Sequence, residues 1–145
     1  MTEFDIESRY GVRTNPYDSE EHVDGLFLHR SNLTSDTHGG PLFRNGNNVR
    51  GALPTELADL PYLKDINLSR NSVLSGSLPD ASSWTQLEYV YIEQADIHGA
   101  LPASWSALED LRVLSLPGNA LTGSLPTNPE WTLIQDIDLS ANTLW

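Results

Sequence analysis

Two aspartates two residues apart, Asp136 and Asp138, are the most suggestive chemical pair in this 145-residue chain. On an extended strand alternate side chains share a face, which sets their carboxylates roughly 7 Å apart, within the span used by glycosidases. Catalysis would need one carboxyl held protonated and the other ionised inside a cleft. Nothing near Asp136 or Asp138 separates two pKa values in that way, and the pair is expected to be surface charge. A calcium site would need Gly-rich acidic loops, which are absent. His22, His29, His38 and His98 have neither ligand spacing nor a nucleophile partner. With no cysteine there is no thiolate metal site and no disulfide. The reading is of a chain with no metal and no cofactor that is not an enzyme.

Charge narrows the partners. Eight Lys and Arg against twenty Asp and Glu give a net charge of −12. Nucleic-acid backbones and anionic membrane surfaces would be repelled, and basic partners are favoured. Residues 1–8 have no basic start or apolar run, and no 18-residue apolar stretch marks a membrane span. Compartment stays open: cell-surface or extracellular if the chain is part of a longer protein, cytoplasmic if it is complete.

The elements that position these residues follow from a repeated phrase. Gly-x-Leu-Pro occurs at Gly51–Pro54, Gly76–Pro79, Gly99–Pro102 and Gly123–Pro126, with prolines 25, 23 and 24 residues apart. A fixed period of this size means one small unit stacked on copies of itself. Upstream of each phrase, apolar residues recur at +3 and +5 from a first apolar position, followed by Asn or a small residue at +8. The registers begin at Val23, Leu63, Leu87, Leu111 and Ile134. The +3 and +5 residues share one face of a strand, giving one short strand per unit. Asn at +8 suits a turn, and its amide can bond backbone of its own and adjacent coils as a ladder, broken once at Ala95 and weakened at Ser31. After each phrase the spacing of three, as in Pro102, Trp105, Leu108 and Leu111, suits a 3₁₀ return begun by proline. Trp84 and Trp131 fit the same inward column as Trp105 if their returns are one residue shorter, and all three are expected to be core.

The combined pattern, LxxLxLxxNxLxGxLP over about 24 residues, resembles the leucine-rich repeat of the plant-specific type, found in receptor ectodomains. Residues 111–126 come nearest to a full unit, and Leu101-Pro-Ala-Ser-Trp105 is similar to repeats of protist surface proteins. The resemblance implies an α/β repeat solenoid, a right-handed coil with one concave parallel β-sheet and 3₁₀ or irregular returns on the convex side. Tyr10-Gly11-Val12 resembles the cap before such arrays, with Tyr for its Trp and no cysteine. The expected organisation is a single domain over 1–145: a cap at 1–22, an atypical first repeat at 23–62 with an inserted loop at 34–50, repeats at 63–86, 87–110 and 111–133, and a truncated repeat at 134–145. No return follows Trp145, and an open end is expected around Ile137, Leu139, Leu144 and Trp145, either continuing into a longer array or pairing with another chain, a second copy included.

The outward residues at +2, +4, +6 and +7 form columns on the concave face, the default binding surface of a stacked array. Phe27, Tyr89 and Tyr91 supply aromatic groups, which are enriched at interface hot spots, and Asp65, Glu93, Asp136 and Asp138 a mostly acidic rim, with Arg70 at +7. The expected function is non-catalytic recognition of a protein or peptide bearing basic groups, with the 34–50 loop as a second contact region; the alternative is an assembly subunit that works through its open end. The sequons at Asn32 and Asn67 would accept glycans in a secreted chain.

Overall fold

The computed structural model describes residues 12–14 and 23–27, as backbone only, together with 51–53 and 55–145. Its strands in chain order are β1 (Val12–Thr14), β2 (Val23–Phe27), β3 (Gly51–Ala52), β4 (Asp65–Asn67), β5 (Leu74–Gly76), β6 (Tyr89–Tyr91) and β7 (Asp96–Gly99). They continue as β8 (Val113–Ser115), β9 (Ala120–Gly123), β10 (Asp136–Asp138) and β11 (Thr143–Leu144). Two 3₁₀ turns, Thr55–Asp59 and Ala103–Ala107, lie on the returns. The remainder of the expected cap, the 34–50 loop, the sequon at Asn32 and the histidines at 22, 29 and 38 lie outside the described residues.

The expected coil is present, with one addition. The first sheet runs β1-β2-β4-β6-β8-β10, parallel throughout except for the antiparallel β1 on β2. A second sheet, β11-β9-β7-β5-β3, gathers the segments that run into each Gly-x-Leu-Pro phrase. Sequence reading placed one sheet, on the concave side, and took that segment for a turn. It is extended because the apolar residue two or three after the Asn position must reach inward: Leu74, Ile97 and Leu121 are all within 2% of full burial. Two-residue alternation then follows from the pleat. In three of the four phrases the glycine closes this strand at positive φ, for example 94° at Gly76 and 84° at Gly99, a conformation that L side chains disfavour; Gly51, also at positive φ, opens β3.

The core is a stack of leucine layers. Leu63, Leu87 and Leu111 open their coils at 0% exposure, and Ile66, Val90 and Leu114 follow on the strands. Asparagines lace the coils together. Asn119 donates Nδ2–H to the carbonyl of Ile92 one coil earlier at 2.6 Å and to that of Leu116 at 3.0 Å, and its Oδ1 accepts from the Ile97 N–H. Asn142 repeats the arrangement on Leu116, Leu139 and Leu121. At the expected gap, Ala95, the Leu74 N–H turns to the Asn71 carbonyl of its own coil at 2.8 Å.

All three expected core tryptophans are buried, Trp84, Trp105 and Trp131 at 1%, 0% and 7% exposure. They do not form one column. Leu87 N–H bonds the Trp84 carbonyl as Leu111 N–H bonds that of Leu108, which puts Trp84 in the slot of Leu108. Trp105 stands one three-residue step earlier, in the slot of Leu57 and Ala81, because Leu63 N–H bonds Leu60 and Leu60 N–H bonds Leu57 in the same series. Small Ala81 and large Trp105 thus alternate, and the Trp84 and Trp105 rings meet edge to face at 5.9 Å.

Candidate functional site

Strand pairing sets the concave face residue by residue. One row reads Gly25, Asp65, Tyr89, Val113, Asp136 and the next Phe27, Asn67, Tyr91, Ser115, Asp138, each residue directly paired with its neighbour. The inward partner between the rows, such as Ile66 or Val90, is buried, and the flanking Asp65, Asn67, Tyr89 and Tyr91 are partly exposed, whereas Ser115 is buried. Phe27 shares a row with Tyr91, separated from it by Asn67, and Tyr89 stands in the adjacent row beside Asp65.

Tyr89 and Tyr91 are half-buried, as are Asp65 and Glu93. The Tyr91 phenol is raised above its usual value, chiefly by desolvation and then by the Tyr89, Asp65, Asp136 and Glu93 groups around it. Glu93 accepts a hydrogen bond from the Ser115 hydroxyl at 3.1 Å, and its backbone N–H bonds the Ser69 hydroxyl at 3.2 Å. Lys and Arg are missing from both rows between 65 and 138.

Asp138 lies at the end of β10 with its Oδ1 accepting the Ser140 N–H at 2.9 Å, and the Ser140 contacts hold its carboxyl below the usual carboxylate value. A carboxyl held ionised is the opposite of what a proton-donating acid needs. Asn67 does the same for Ser69 at 3.3 Å, so its sequon amide sits on the concave face as a turn acceptor. Asp136 is exposed.

The +7 position departs from the sequence reading. Arg70, Gln94, Gly118 and Ala141 all have positive φ, between 52° and 67°, and form the turn between the two sheets in place of a strand column. Three of the four N–H groups still bond the next coil, Arg70 to the Glu93 carbonyl at 2.6 Å, Gln94 to that of Pro117 at 2.9 Å and Gly118 to that of Ser140 at 2.9 Å, which holds the strained backbone in place. Arg70 is exposed at this turn, beside the concave rows and not among them. Gly118 was the one sequence signal of this geometry.

At the far end, Ile137 occupies the strand position that is buried as Ile66, Val90 and Leu114, yet it is 43% exposed, and Trp145 is 88% exposed. Leu139 and Leu144 are half-buried against the core. No group of His, Asp or Glu among the described residues could hold a metal ion, and no helix among them is long and apolar enough to cross a membrane.

No protein-family model and no curated protein matches the chain. Solved structures do. The leucine-rich-repeat ectodomain of the receptor kinase GASSHO1/SCHENGEN3 from Arabidopsis thaliana, in complex with CASPARIAN STRIP INTEGRITY FACTOR 2, superposes with a TM-score of 0.78 over 96% of this chain at 23% identity. The Arabidopsis HAESA ectodomain, in complex with an IDA peptide hormone, matches over 71% of this chain with a TM-score of 0.65 at 28% identity. The SOBIR1 ectodomain from Arabidopsis thaliana matches over 94% of this chain and 82% of its own length, with a TM-score of 0.70 at 21% identity. The chain spans only 15% of the first of these and 17% of the second. The fold they share with it is the leucine-rich-repeat coil.

Proposed function

We propose that this leucine-rich-repeat coil is a non-catalytic recognition module whose concave sheet binds a protein or peptide bearing basic and apolar groups. The observation that carries the reading is the pair Tyr89 and Tyr91, half-buried on adjacent rows with the Asp65, Asp136 and Glu93 carboxylates around them and no Lys or Arg in the rows. Aromatic rings on a rigid sheet lose little conformational freedom on contact, and exposed carboxylates steer and orient a cationic partner. The HAESA coil, solved in complex with an IDA peptide hormone, adds support by likeness of fold.

The test is capture of partners from the native source by the wild-type chain beside a Tyr89→Ala, Tyr91→Ala variant. Loss of the captured set in the variant supports the face; identical sets for the two proteins sink it.

A second reading rests on the exposure of Ile137 and Trp145. Self-association through that end would bury both, and light scattering across concentration reads it directly. A dimer abolished by Leu144→Ser with Trp145→Ser favours assembly, whereas a monomer at all concentrations removes this reading.

A further inference from the structure

We infer that the outer edge of β10 takes an extended segment of another polypeptide as a further parallel strand, with basic, apolar and basic side chains in register with Asp136, Ile137 and Asp138. This goes beyond the concave-face reading and does not rest on it. Each coil offers the next the same backbone groups. The Leu116 N–H bonds the Asp138 carbonyl at 2.8 Å and the Gly118 N–H that of Ser140 at 2.9 Å, as Ile92 and Gln94 do one coil earlier. Before the strand, the Arg112 carbonyl accepts both the Gln135 and the Asp136 N–H. In the last coil these places fall to the Leu139 and Ala141 N–H groups and to the Gln135 carbonyl, and none of the three has a backbone partner among the described residues. Two donors after the strand and a double acceptor before it are the pattern that receives a parallel neighbour throughout this coil.

Side chains on the edge select what fits. Ile137 stands where Ile66, Val90 and Leu114 are buried yet is 43% exposed, so an apolar side chain brought beside it on the inward face removes apolar surface from water. On the concave face Asp136 and Asp138 flank it. Neighbouring strands stand about 4.8 Å apart, so residues in register with these carboxylates attract them when basic and repel them when acidic. The same charges argue against a second copy on this edge. A twofold pairing of the edge with itself is antiparallel, and with Ile137 on Ile137 it sets Asp136 of each copy against Asp138 of the other. Like charges then face each other at both flanks of the seam.

The test is fluorescence anisotropy of short labelled peptides titrated with the full chain. A peptide with Arg-Ile-Arg at its centre is expected to bind about tenfold more tightly than its Glu-Ile-Glu counterpart, and Asp136→Lys with Asp138→Lys to reverse that preference. N-methylation of the first arginine and of the residue before it, whose N–H groups would meet the Gln135 carbonyl, is expected to abolish binding, and amide exchange at Leu139 and Ala141 to slow in the complex. Equal affinity for the two peptides, no binding by either, or undiminished binding of the N-methylated form overturns the inference. Tyr89→Ala with Tyr91→Ala is expected to leave the affinity unchanged; its loss in that variant puts the peptide on the concave rows and overturns the edge assignment. A chain that is dimeric without peptide, with the Leu139 and Ala141 amides already protected, gives the edge to a second copy and overturns it as well.

Discussion

Trp131 donates its indole Nε1–H to the backbone carbonyl of Trp105, one coil earlier, at 2.7 Å. Trp84 does the same to Leu57 at 2.8 Å, and Trp105 to Pro79 at 3.0 Å. Each large ring thus fills the core of its own return and also fastens it to the preceding one. The indole N–H, which would be costly to bury without a partner, becomes a vertical tie.

Trp131→Phe keeps most of the ring and removes the donor, leaving the Trp105 carbonyl without its indole partner. A loss of about 1–2 kcal/mol in unfolding free energy is expected by urea denaturation. Trp105→Ala empties a fully buried site and is expected to cost about 3–5 kcal/mol. Equal losses in the two variants would mean that the hydrogen bond, and not the ring volume, dominates.

Ala95→Asn should restore the missing rung. The carbonyl of Leu68 and the N–H of Leu74 stand where those of Leu116 and Leu121 stand beside Asn142. A gain of about 1 kcal/mol is expected, visible as a higher urea midpoint at unchanged slope. A lower midpoint would show that this coil closes through the Leu74 N–H bond to Asn71 and has no room for the amide.

Glycines of the repeated phrase are not equivalent. A Cβ at Gly76 would lie 2.9 Å from that of Ala52, whereas one at Gly51 meets nothing within 4 Å among the described residues. Both have positive φ. Gly76→Ala is therefore expected to cost about 2 kcal/mol or more, and Gly51→Ala about 1 kcal/mol. Melting temperatures in the reverse order would contradict this packing of β3 on β5.

Asp138 is held below 3.8 by the Ser140 hydroxyl and N–H, and Asp80 likewise by Ser82. A depressed folded value stabilises fully above the unfolded one and loses that contribution as pH falls through the folded one. Stability contributed by these two groups should thus be flat down to about pH 5 and decline in acid. Replacing both by Asn should shallow that acid slope in urea midpoints measured against pH; an unchanged slope assigns it to other carboxylates.

The repeat made much of this legible. The +2 and +4 rows, Asp65 beside Tyr89 and Asn67 beside Tyr91, lie where counting from Leu63 and Leu87 put them, since a stacked coil has no freedom to shift a strand without exposing its leucines. Arg70 and Gln94 were misplaced for a reason counting cannot reach. Their left-handed turn is imposed by the angle between two sheets, and the second sheet leaves only a two-residue trace in the sequence.

What the sequence determined by itself was the coil, its period, and which side chains line its core and concave rows, because periodic apolar residues can be buried together in essentially one way. The tertiary structure alone decided how the returns interlock: Trp105 in one slot, Trp84 and Trp131 in another, with Ala81 making room between them. That choice depends on volume shared across neighbouring coils, a quantity that no residue carries alone and that exists only once the coils are stacked.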